Sequence, residues 1–434
     1  MDQVPATPAL PRSLHRDSHG VLRLAGLDLA ALGADPKVGT PAYVYDLGGI
    51  EAEAKELALG YDGAPHLICY AIKANSAGAI LRTLVQAGCG ADIVSGAELR
   101  LALAAGFVAD TIVFSGVAKT DDELDAAITA GAEGILAIQV ESLEEVSRIA
   151  ARARALGRSA RVSLRVNPEV EIESMGTHVH IATGHDEAKF GVPLHQVASA
   201  VQAVLAEPSL RLVGLTSHTG SQFTQTAPYL TAARTLLGLA RDFSSKVSWS
   251  FLDTGGGFGI DYGQGCPVRP QEFVRAVRGI AAELGLGGIR LLCEPGRSLV
   301  AAHGVLLARV LQTKITQTRR FVMVDAGMND LMRPALYQAR HRIVPCLHQG
   351  GSVEPFRVVG PVCESTCDFG PYTLPSAPSG LLAFLDAGAY GYTMASRYNG
   401  RALPSEVFLR DGAVVNIVSR APVSAWVEDR LRSM

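Results

Sequence analysis

Apolar and polar positions alternate with two different periods from Thr40 to about Val300. Short runs rich in Val, Ile and Leu predict buried strands, and each is followed by an Ala-, Leu- and Glu-rich stretch with the spacing of an amphipathic helix. The predicted strands cover residues 69–73, 91–95, 112–116, 135–140, 162–167, 212–218, 251–255 and 289–294. The predicted helices include residues 77–87, 97–105, 121–130, 143–155 and 196–206.

Strands that alternate with helices of this length indicate βα units and a parallel sheet. Eight such units in succession predict an α/β fold built on a (β/α)8 barrel. An open, doubly wound parallel sheet is the structural alternative.

The rhythm changes after Val300, where strand-like segments follow one another without intervening helices and turn residues crowd the gaps. These segments cover residues 305–318, 320–325, 356–359, 380–385 and 413–419. The pattern predicts a C-terminal antiparallel β domain, sandwich-like or barrel-like, that also takes in the N-terminal segment. We therefore expect the barrel at residues 37–302 and the β domain at residues 1–36 and 303–434.

The composition excludes several classes of protein. Charged residues make up 19% of the 434 positions and the mean hydropathy is +0.21, values typical of a well-buried globular protein. A net charge of -3 and a pI near 6.4 give no reason to expect nucleic acid or an anionic membrane as a partner. No apolar run is long enough to span a membrane, and the first residues carry no export signal. Seven scattered cysteines do not suggest a disulfide framework, so we expect a cytoplasmic location.

Polar or glycine residues stand at the end of almost every predicted barrel strand. The carboxyl ends of barrel strands form the active-site face of a (β/α)8 fold, so these side chains are expected to converge. A single lysine or histidine on a strand is more often a satisfied structural residue, and it is the set that carries the inference. The set comprises Lys73, Asp92, Ser95, Ser115, Arg165, His218, Ser221, Gly255, Gly256, Gly257, Glu294 and Arg297.

Four features of this set have a chemistry of their own. Lys73 interrupts an apolar strand, and a desolvated lysine amine is what covalent attachment to a carbonyl group requires. The glycine run that begins at Gly255 follows a strand and either cradles a phosphate or forms a tight turn. Glu294 could hold a pyridinium nitrogen. His218 either stacks on an aromatic ring or belongs to a neutral core network, and the sequence does not choose.

The chain resembles the diaminopimelate decarboxylases, fold-type III pyridoxal-phosphate enzymes related to eukaryotic ornithine decarboxylase. The resemblance covers residues 39 to about 407 and rests on ordered motifs. These motifs are Tyr70-Ala-Ile-Lys-Ala-Asn75, Gly90-Ala-Asp-Ile-Val-Ser-Gly-Ala-Glu98, His218-Thr-Gly-Ser-Gln222, Asp253-Thr-Gly-Gly-Gly-Phe258, Glu294-Pro-Gly-Arg-Ser298, Asp325-Ala-Gly-Met-Asn-Asp-Leu-Met-Arg-Pro-Ala-Leu-Tyr337, Cys363-Glu-Ser365 and Asp386-Ala-Gly-Ala-Tyr-Gly391.

The resemblance implies pyridoxal 5'-phosphate as the cofactor, bound covalently through Lys73. It implies that His218 stacks on the cofactor ring and that Glu294 bonds the pyridine nitrogen. The other residues implied in cofactor binding are Asp92, Arg165, Ser221, Gly255, Gly256, Gly257, Gly296, Arg297 and Tyr390. No metal-ligating set is predicted.

The resemblance also implies that Cys363 protonates the substrate carbanion after carbon dioxide leaves. In this family the cysteine and its neighbour Glu364 reach into the partner's barrel, which implies a homodimer with shared active sites. One departure concerns the usual Cys-Glu-Ser-x-Asp motif, because the aspartate here comes one residue late as Asp368, after Cys367. The departure leaves the role of Asp368 open. One interpretation is that the loop is shifted and that the substrate preference changes with it.

The substrate implied by the resemblance is meso-2,6-diaminopimelate, decarboxylated to L-lysine and carbon dioxide. Arg333, Tyr337 and Glu364 match the residues that bind its distal end, with Arg297 and Tyr390 also near the substrate. A second carboxylate calls for a guanidinium group, although Arg333 alone could be a surface ion pair. The alternatives are a related decarboxylase of ornithine, lysine, arginine or a carboxylated polyamine, and a non-catalytic binding regulator. Alanine racemase shares the fold type but would place an arginine where this chain has Glu294.

Overall fold

The structure is a computed structural model that describes residues 9–170, 188–265 and 268–434. The chain divides into two compact units. The β unit comprises Met1–Ile50, Asp261–Gly265 and Leu299–Met434, and the barrel unit comprises Glu51–Ile260 and Cys266–Ser298.

The strands follow one another along the whole chain and are numbered in chain order. They are β1 (Leu14–Arg16), β2 (Leu22–Leu24), β3 (Leu27–Asp28), β4 (Ala42–Asp46), β5 (His66–Ala71), β6 (Gly90–Ile93), β7 (Ile112–Phe114), β8 (Ala137–Val140), β9 (Ala160–Asn167), β10 (Val192–Pro193), β11 (Leu210–Thr216), β12 (Phe251–Asp253), β13 (Arg290–Cys293), β14 (Gly304–Ile315), β15 (Arg320–Val324), β16 (Ile343–Pro345), β17 (Val353–Val359), β18 (Asp368–Pro375), β19 (Leu381–Phe384), β20 (Ser405–Arg410) and β21 (Ala413–Val418).

The described α-helices are numbered in the same way. They are α1 (Leu29–Ala34), α2 (Leu47–Leu59), α3 (Gly78–Gln86), α4 (Gly96–Ala105), α5 (Asp121–Thr129), α6 (Leu143–Ala155), α7 (Val197–Leu205), α8 (Ala227–Phe243), α9 (Pro270–Glu283), α10 (Arg297–Val300), α11 (Arg333–Tyr337) and α12 (Val423–Leu431).

Eight parallel strands of the barrel unit close into a ring in the order β9, β11, β12, β13, β5, β6, β7 and β8, with β8 pairing back onto β9. Every predicted barrel strand is found within a few residues of its expected limits, so the predicted (β/α)8 barrel is confirmed. The alternative of an open, doubly wound sheet is wrong, because β8 and β9 pair with each other and close the sheet.

The barrel helices begin where the sequence offers N-terminal caps. The Ser95 hydroxyl accepts the N–H of Glu98 at the start of α4, and Thr120 and Glu123 form a capping box at the start of α5. Helix α4 ends at Gly106, whose φ of 108° is left-handed and suits glycine. These local signals explain why the predicted helices were close to the observed ones.

The inside of the barrel is packed with apolar side chains, each of which contributes about 1.5–3 kcal/mol when fully buried. One buried cluster comprises Leu67, Cys69, Val113, Leu136, Ala137, Val213, Phe251 and Leu292. The polar residues at the strand ends lie beyond this apolar packing, at the carboxyl face.

The sheet of the β unit runs in the order β18, β17, β15, β14, β4, β20 and β21, and β19 joins it through β14. It is mixed, and the expectation of a purely antiparallel sheet is corrected at two pairs. Strands β15 and β17 are parallel, as are β20 and β4. Long connections separate the two strands of each pair, and such connections permit parallel pairing.

The N-terminal segment belongs to the β unit, as predicted. Strands β1 to β3 form a small antiparallel sheet. Leu22, Leu24 and Leu29 pack in one buried cluster with Val305 and Leu307 of β14. Strand β4 lies inside the range predicted for the barrel, residues 37–302, but it pairs with β14 and β20 of the β unit. The exact limits of the two predicted domains stay a prediction. Within the described residues, no helix has both the length and the apolar character needed to cross a bilayer.

Candidate active site

The barrel unit brings the predicted strand-end residues to one face. Lys73 lies in a 3-10 turn that directly follows β5, and Asp92 is in β6. Arg165 is in β9, while His218 and Glu294 follow β11 and β13. Because all these strands are parallel, their carboxyl ends meet at the same mouth of the barrel.

A chain of polar contacts joins the lysine to the glutamate. Lys73 Nζ donates to Asp92 Oδ2 at 2.6 Å, and Asp92 is fully buried. The Ser115 hydroxyl donates to the other oxygen of Asp92 and lies 3.4 Å from Glu294 Oε1. The Asp92 carboxylate therefore holds the Lys73 amine from a fixed position.

Glu294 belongs to a crowded group of buried carboxyl groups. Burial raises the pKa of Glu294 well above its usual value, and the negative charges of Asp253 and Asp92 raise it further. Burial likewise raises the pKa of Asp253 to about 7. A cation placed against this group would favour its ionised form.

His218 is held as a neutral imidazole. Burial lowers its pKa well below the usual value, and the positive charges of Arg165 and Lys73 lower it further. The N–H of Gly256 donates to His218 Nδ1 at 3.2 Å, so this nitrogen is an acceptor. Oε2 of Glu294 lies 3.8 Å from the same nitrogen. A neutral ring at this place suits stacking on an aromatic ligand.

Arg165 is fixed by a buried carboxylate that the sequence did not single out. Its Nη1 donates to Glu141 Oε1 at 2.9 Å, and its guanidinium carbon lies 4.7 Å from the centre of the Phe190 ring. Glu141 also accepts the N–H groups of Gly116 and Gly191, at 3.0 and 2.7 Å. The Glu141 carboxylate thus connects Gly116 after β7, Arg165 in β9 and Gly191 just before β10.

The glycine run has little room for side chains. A Cβ on Gly256 would lie 1.9 Å from the Glu294 carbonyl oxygen, and one on Gly257 would lie 2.2 Å from the carbonyl oxygen of Gly220. Gly255 and Gly257 have φ values of 71° and 90°, which are left-handed. Gly296 is packed too, because its Cβ would lie 2.9 Å from Ala74 Cβ. Glycine at these positions therefore allows the loop to pack closely against its neighbours.

A cation and a hydroxyl group lie together in the same unit. Arg297 is buried, and its Nη2 donates to Ser221 Oγ at 3.1 Å. A hydroxyl group and a guanidinium group are among the donors that bind phosphate groups in proteins.

These residues fit pyridoxal 5'-phosphate. The lysine amine suits its aldehyde, the buried Glu294 carboxyl suits its ring nitrogen, and neutral His218 suits its ring. No Cβ could be accommodated in the glycine run, because the backbone there packs against the carbonyl oxygens of Ser217, Glu294 and Gly220. The N–H groups of Gly255 and Gly256 donate to Asp253 and His218, so Arg297 and Ser221 are the donors that suit the phosphate group.

The β unit carries the second group of predicted residues, which includes Arg333 and Tyr337 at the two ends of α11. Arg333 is buried, so a surface ion pair does not describe it. Its Nη1 contacts His341 Nε2 at 2.8 Å, and its guanidinium carbon lies 4.9 Å from the centre of the Tyr262 ring. His341 Nδ1 contacts the Leu385 carbonyl oxygen at 2.9 Å. Since a carbonyl only accepts, Nδ1 carries the proton and Nε2 accepts from Arg333.

The two cysteines of the loop before β18 have different environments. Cys363 is exposed, and its N–H donates to Asn399 Oδ1 at 2.9 Å. Cys367 is buried, and its sulfur accepts the Met328 N–H at 3.3 Å. Between them, the exposed Glu364 accepts a hydrogen bond from the Tyr398 hydroxyl. The exposed thiol of Cys363 is the one that a ligand or a partner chain can reach.

The late aspartate, Asp368, has a structural partner. Arg357 of β17 donates to it across the β17–β18 pair, and Asp368 also accepts the Gly370 N–H at 2.8 Å. At its shifted position, the negative charge of Asp368 is therefore balanced by the positive charge of Arg357.

Tyr390 lies in the loop after β19 and is half-buried, with a left-handed φ of 55°. The same loop begins at Asp386, whose φ is 57°. Arg342 donates to both carboxylate oxygens of Asp386, at 2.8 and 2.7 Å. This bidentate pair anchors the loop that carries Tyr390.

Among the residues that the sequence analysis did not single out are Gln139, whose amide donates to Glu294 Oε1 at 2.6 Å, Glu141 and His341. Gln139 and Glu141 had a signal, because Gln139 is the one polar residue in the apolar run 135–140 and Glu141 follows that run. His341 had none, since nothing in its spacing from Arg333 indicates a contact.

Comparison with known proteins identifies the family. The model of the "Pyridoxal-dependent decarboxylase, pyridoxal binding domain" matches residues 47–301. The chain is similar to the diaminopimelate decarboxylase of Pseudomonas aeruginosa, with 42% identity over 388 residues that cover 88% of this chain and 91% of the relative.

Solved structures agree with this assignment. The diaminopimelate decarboxylase of M. jannaschii in complex with L-lysine has a TM-score of 0.89 at 32% identity, covering 97% of this chain and 98% of that chain. The enzyme from Helicobacter pylori complexed with L-lysine has a TM-score of 0.84 at 35% identity, covering 91% and 98%. The chain therefore belongs to the pyridoxal-dependent decarboxylases and, within them, to the diaminopimelate decarboxylase family.

Proposed function

We propose that this chain decarboxylates meso-2,6-diaminopimelate to L-lysine and carbon dioxide, the last step of lysine biosynthesis. The observation that carries the proposal is the Lys73–Asp92 pair at the mouth of the barrel, linked through Ser115 to the buried Glu294. A positioned amine and a buried carboxyl are what a pyridoxal-phosphate enzyme contributes to its cofactor. The similarity to diaminopimelate decarboxylases supports the choice of substrate.

Pyridoxal phosphate, when bound, supplies an electron sink for the electron pair left behind when carbon dioxide departs. Lys73 presents its amine for covalent attachment, and Asp92 orients that amine. Neutral His218 presents an uncharged ring. Glu294 provides the carboxyl that pairs with the ring nitrogen, where a positive charge compensates the burial that raises its pKa.

The phosphate is assigned to the glycine run and its neighbours. Ser221 and Arg297, which are hydrogen-bonded to each other, are assigned as its donors. The closely packed backbone of Gly255, Gly256 and Gly257 is assigned to the same subsite. Gly296 allows this loop to pack closely. Asp92 and Arg165 shape the pocket, and Tyr390 is assigned a further phosphate contact.

The distal end of the substrate is assigned to Arg333, Tyr337 and Glu364. His341 holds one nitrogen of the Arg333 guanidinium group and so fixes the plane of the group. A guanidinium group in a fixed plane suits recognition of a carboxylate. A substrate with a second carboxylate gains from this arrangement, whereas ornithine and lysine have no group that uses it.

Cys363 is assigned as the donor that protonates the α-carbon after carbon dioxide leaves. Its exposure, together with that of Glu364, supports a homodimer in which both residues enter the partner's active site. The unpaired state of all six described cysteines supports a reducing compartment, so a cytoplasmic location is part of the proposal.

The test measures carbon dioxide release from meso-diaminopimelate, D- and L-lysine, ornithine and arginine. Turnover of meso-diaminopimelate is expected to be at least about 100-fold faster than that of the other amino acids. They lack the second carboxylate and so lose a pair of charge-assisted hydrogen bonds to the enzyme. Lys73→Ala should abolish turnover and the borohydride-sensitive visible absorbance. Lys55→Ala, at an exposed lysine paired with Glu51, is the matched control and should leave both unchanged.

Two other outcomes would change the conclusion. A preference for ornithine, lysine or arginine would indicate a related decarboxylase with a different substrate. Cofactor absorbance without carbon dioxide release from any of the five amino acids would indicate a binding regulator.

A further inference from the structure

Gln139 of β8 contacts the carboxyl group that is assigned to the ring nitrogen. Its Nε2 donates to Glu294 Oε1 at 2.6 Å, and both side chains are almost fully buried, at 1% and 4% exposed. An amide donor at this distance forms a strong hydrogen bond to a carboxylate.

The two oxygens of Glu294 are therefore in different environments. Oε1 accepts from Gln139 and lies 3.4 Å from the Ser115 hydroxyl, which is itself bonded to Asp92. Oε2 lies 3.8 Å from Nδ1 of His218, and this nitrogen already accepts the Gly256 N–H. The Gln139 bond therefore holds Oε1 toward Ser115 and leaves Oε2 on the side of His218.

We propose that Gln139 is a positioning residue for the decarboxylation, which orients Glu294 and holds it in the ionised form that pairs with the cofactor's ring nitrogen. This inference rests on the function proposed above. Gln139 acts through Glu294 and has no assigned contact with the substrate.

The electrostatics of the site show why such a donor is needed. Burial and the carboxyl groups of Asp253 and Asp92 all favour the protonated form of Glu294. A protonated Glu294 would leave the ring nitrogen without a negative partner, and the electron sink would weaken. An N–H donor to Oε1 acts in the opposite sense, because hydrogen bonds to the charged form favour that form.

The test compares Gln139→Met with Gln139→Leu, both of which are close to glutamine in size and remove the donor. Both should lower kcat about 10- to 100-fold and change KM less than about threefold, because the lost bond acts on the reacting cofactor and not on substrate binding. The matched control is Gln271→Met. Gln271 of α9 is a buried glutamine whose side-chain amide has no hydrogen-bond partner among the described residues, and its replacement should leave both constants unchanged.

A second readout does not depend on activity. Infrared spectra of the cofactor-free protein report the C=O stretch of protonated Glu294, identified by its loss in Glu294→Gln. In Gln139→Met this band should persist to a pH about one unit higher than in the unaltered protein. With 15N-labelled pyridoxal phosphate bound, the ring-nitrogen resonance of Gln139→Met should move toward that of an unprotonated pyridine.

The outcomes separate this inference from the proposed function. If meso-diaminopimelate is not the substrate, the infrared and 15N measurements still decide the role of Gln139. An unchanged band and resonance in both Gln139 variants would overturn the inference, as would a change in KM alone. Should Gln139→Met fail to fold, Gln139→Leu gives the same readouts, because leucine also lacks the donor and adds no carboxyl group.

Discussion

The guanidinium group of Arg333 is held by His341, with 2.8 Å between Arg333 Nη1 and His341 Nε2. His341 is fixed in turn because its Nδ1 donates to the Leu385 carbonyl oxygen at 2.9 Å. The histidine is therefore a neutral acceptor that orients the arginine. Arg333 is the residue assigned to the second carboxylate of the substrate, so its orientation bears on substrate choice.

Replacing His341 is expected to weaken substrate binding more than the chemistry. His341→Ala should raise KM for meso-diaminopimelate roughly tenfold and leave kcat within about twofold, because a misoriented guanidinium loses about one hydrogen bond to the carboxylate. Arg333→Ala should raise KM more. Steady-state kinetics measure both, with His348→Ala, at a half-buried histidine of the same unit, as the control. Equal KM values in His341→Ala and the unaltered protein would contradict the assignment.

The two loop cysteines should respond differently to substitution. Cys363→Ala removes the assigned proton donor and should lower the rate of lysine formation by roughly 100-fold, with some cofactor diverted into transamination. Cys367→Ala should leave that rate within about twofold and lower the free energy of unfolding by about 1 kcal/mol, since the buried sulfur accepts the Met328 N–H. Product analysis and urea unfolding measure the two effects. A loss of rate in Cys367→Ala alone would move the role of proton donor to Cys367.

Shared active sites predict complementation between inactive variants. If the proposed shared-site homodimer forms, Lys73→Ala and Cys363→Ala proteins that are mixed one to one and exchange subunits should regain about a quarter of the unaltered activity. Half of the random dimers then hold one intact site out of two. Activity is measured before and after mixing. The control mixes Lys73→Ala with Lys73→Ala/Cys363→Ala, which forms no intact site. No recovery despite proven subunit exchange would place Lys73 and Cys363 of one chain in the same site.

Glu406 should make stability depend on pH. Burial raises its pKa from 4.5 to about 7 in the folded state, with Tyr45 opposing the shift. Below pH 4.5 Glu406 is protonated in both the folded and the unfolded protein. The folded protein therefore has its full stability there, and it loses the part that depends on neutral Glu406 as the pH rises through 7. Glu406→Gln, which stays neutral, should therefore be more stable than the unaltered protein at pH 8 by on the order of 2–3 kcal/mol, and similar at pH 4.5.

Urea unfolding at pH 4.5 and pH 8 measures this difference. Glu428→Gln, at an exposed glutamate of α12, is the control and should match the unaltered protein at both values. A stability difference in Glu406→Gln that is the same at pH 4.5 and pH 8 would show that Glu406 does not titrate between them.

The sequence predicted the barrel well because its signals are local. Apolar runs such as 112–116 and caps such as Ser95 and Thr120 fix strands and helices within a few residues. The β unit was harder to predict. Strand β4 pairs with β14 and β20, which lie more than 250 residues away along the chain, and no local pattern encodes such a partner.

The candidate site shows the same division. Lys73 and Glu294 stood out as charged residues at the ends of apolar strands, and the motifs that contain them matched a family. What each group contacts was not visible in the motifs. The Gln139–Glu294 bond joins residues 155 positions apart, and the Arg357–Asp368 pair gave the late aspartate a structural partner.

The sequence by itself determined the class of fold and the type of cofactor, because periodicity and short motifs are properties of neighbouring residues. From the same motifs it predicted Lys73 as the lysine for cofactor attachment. Only the tertiary structure decided the protonation of His218, the crowding of Glu294 with Asp253, and the fixed orientation of Arg333. Each of these depends on burial and on charges from distant parts of the chain. A pKa or a hydrogen-bond partner is therefore set by the packed environment, which the order of residues along the chain does not display.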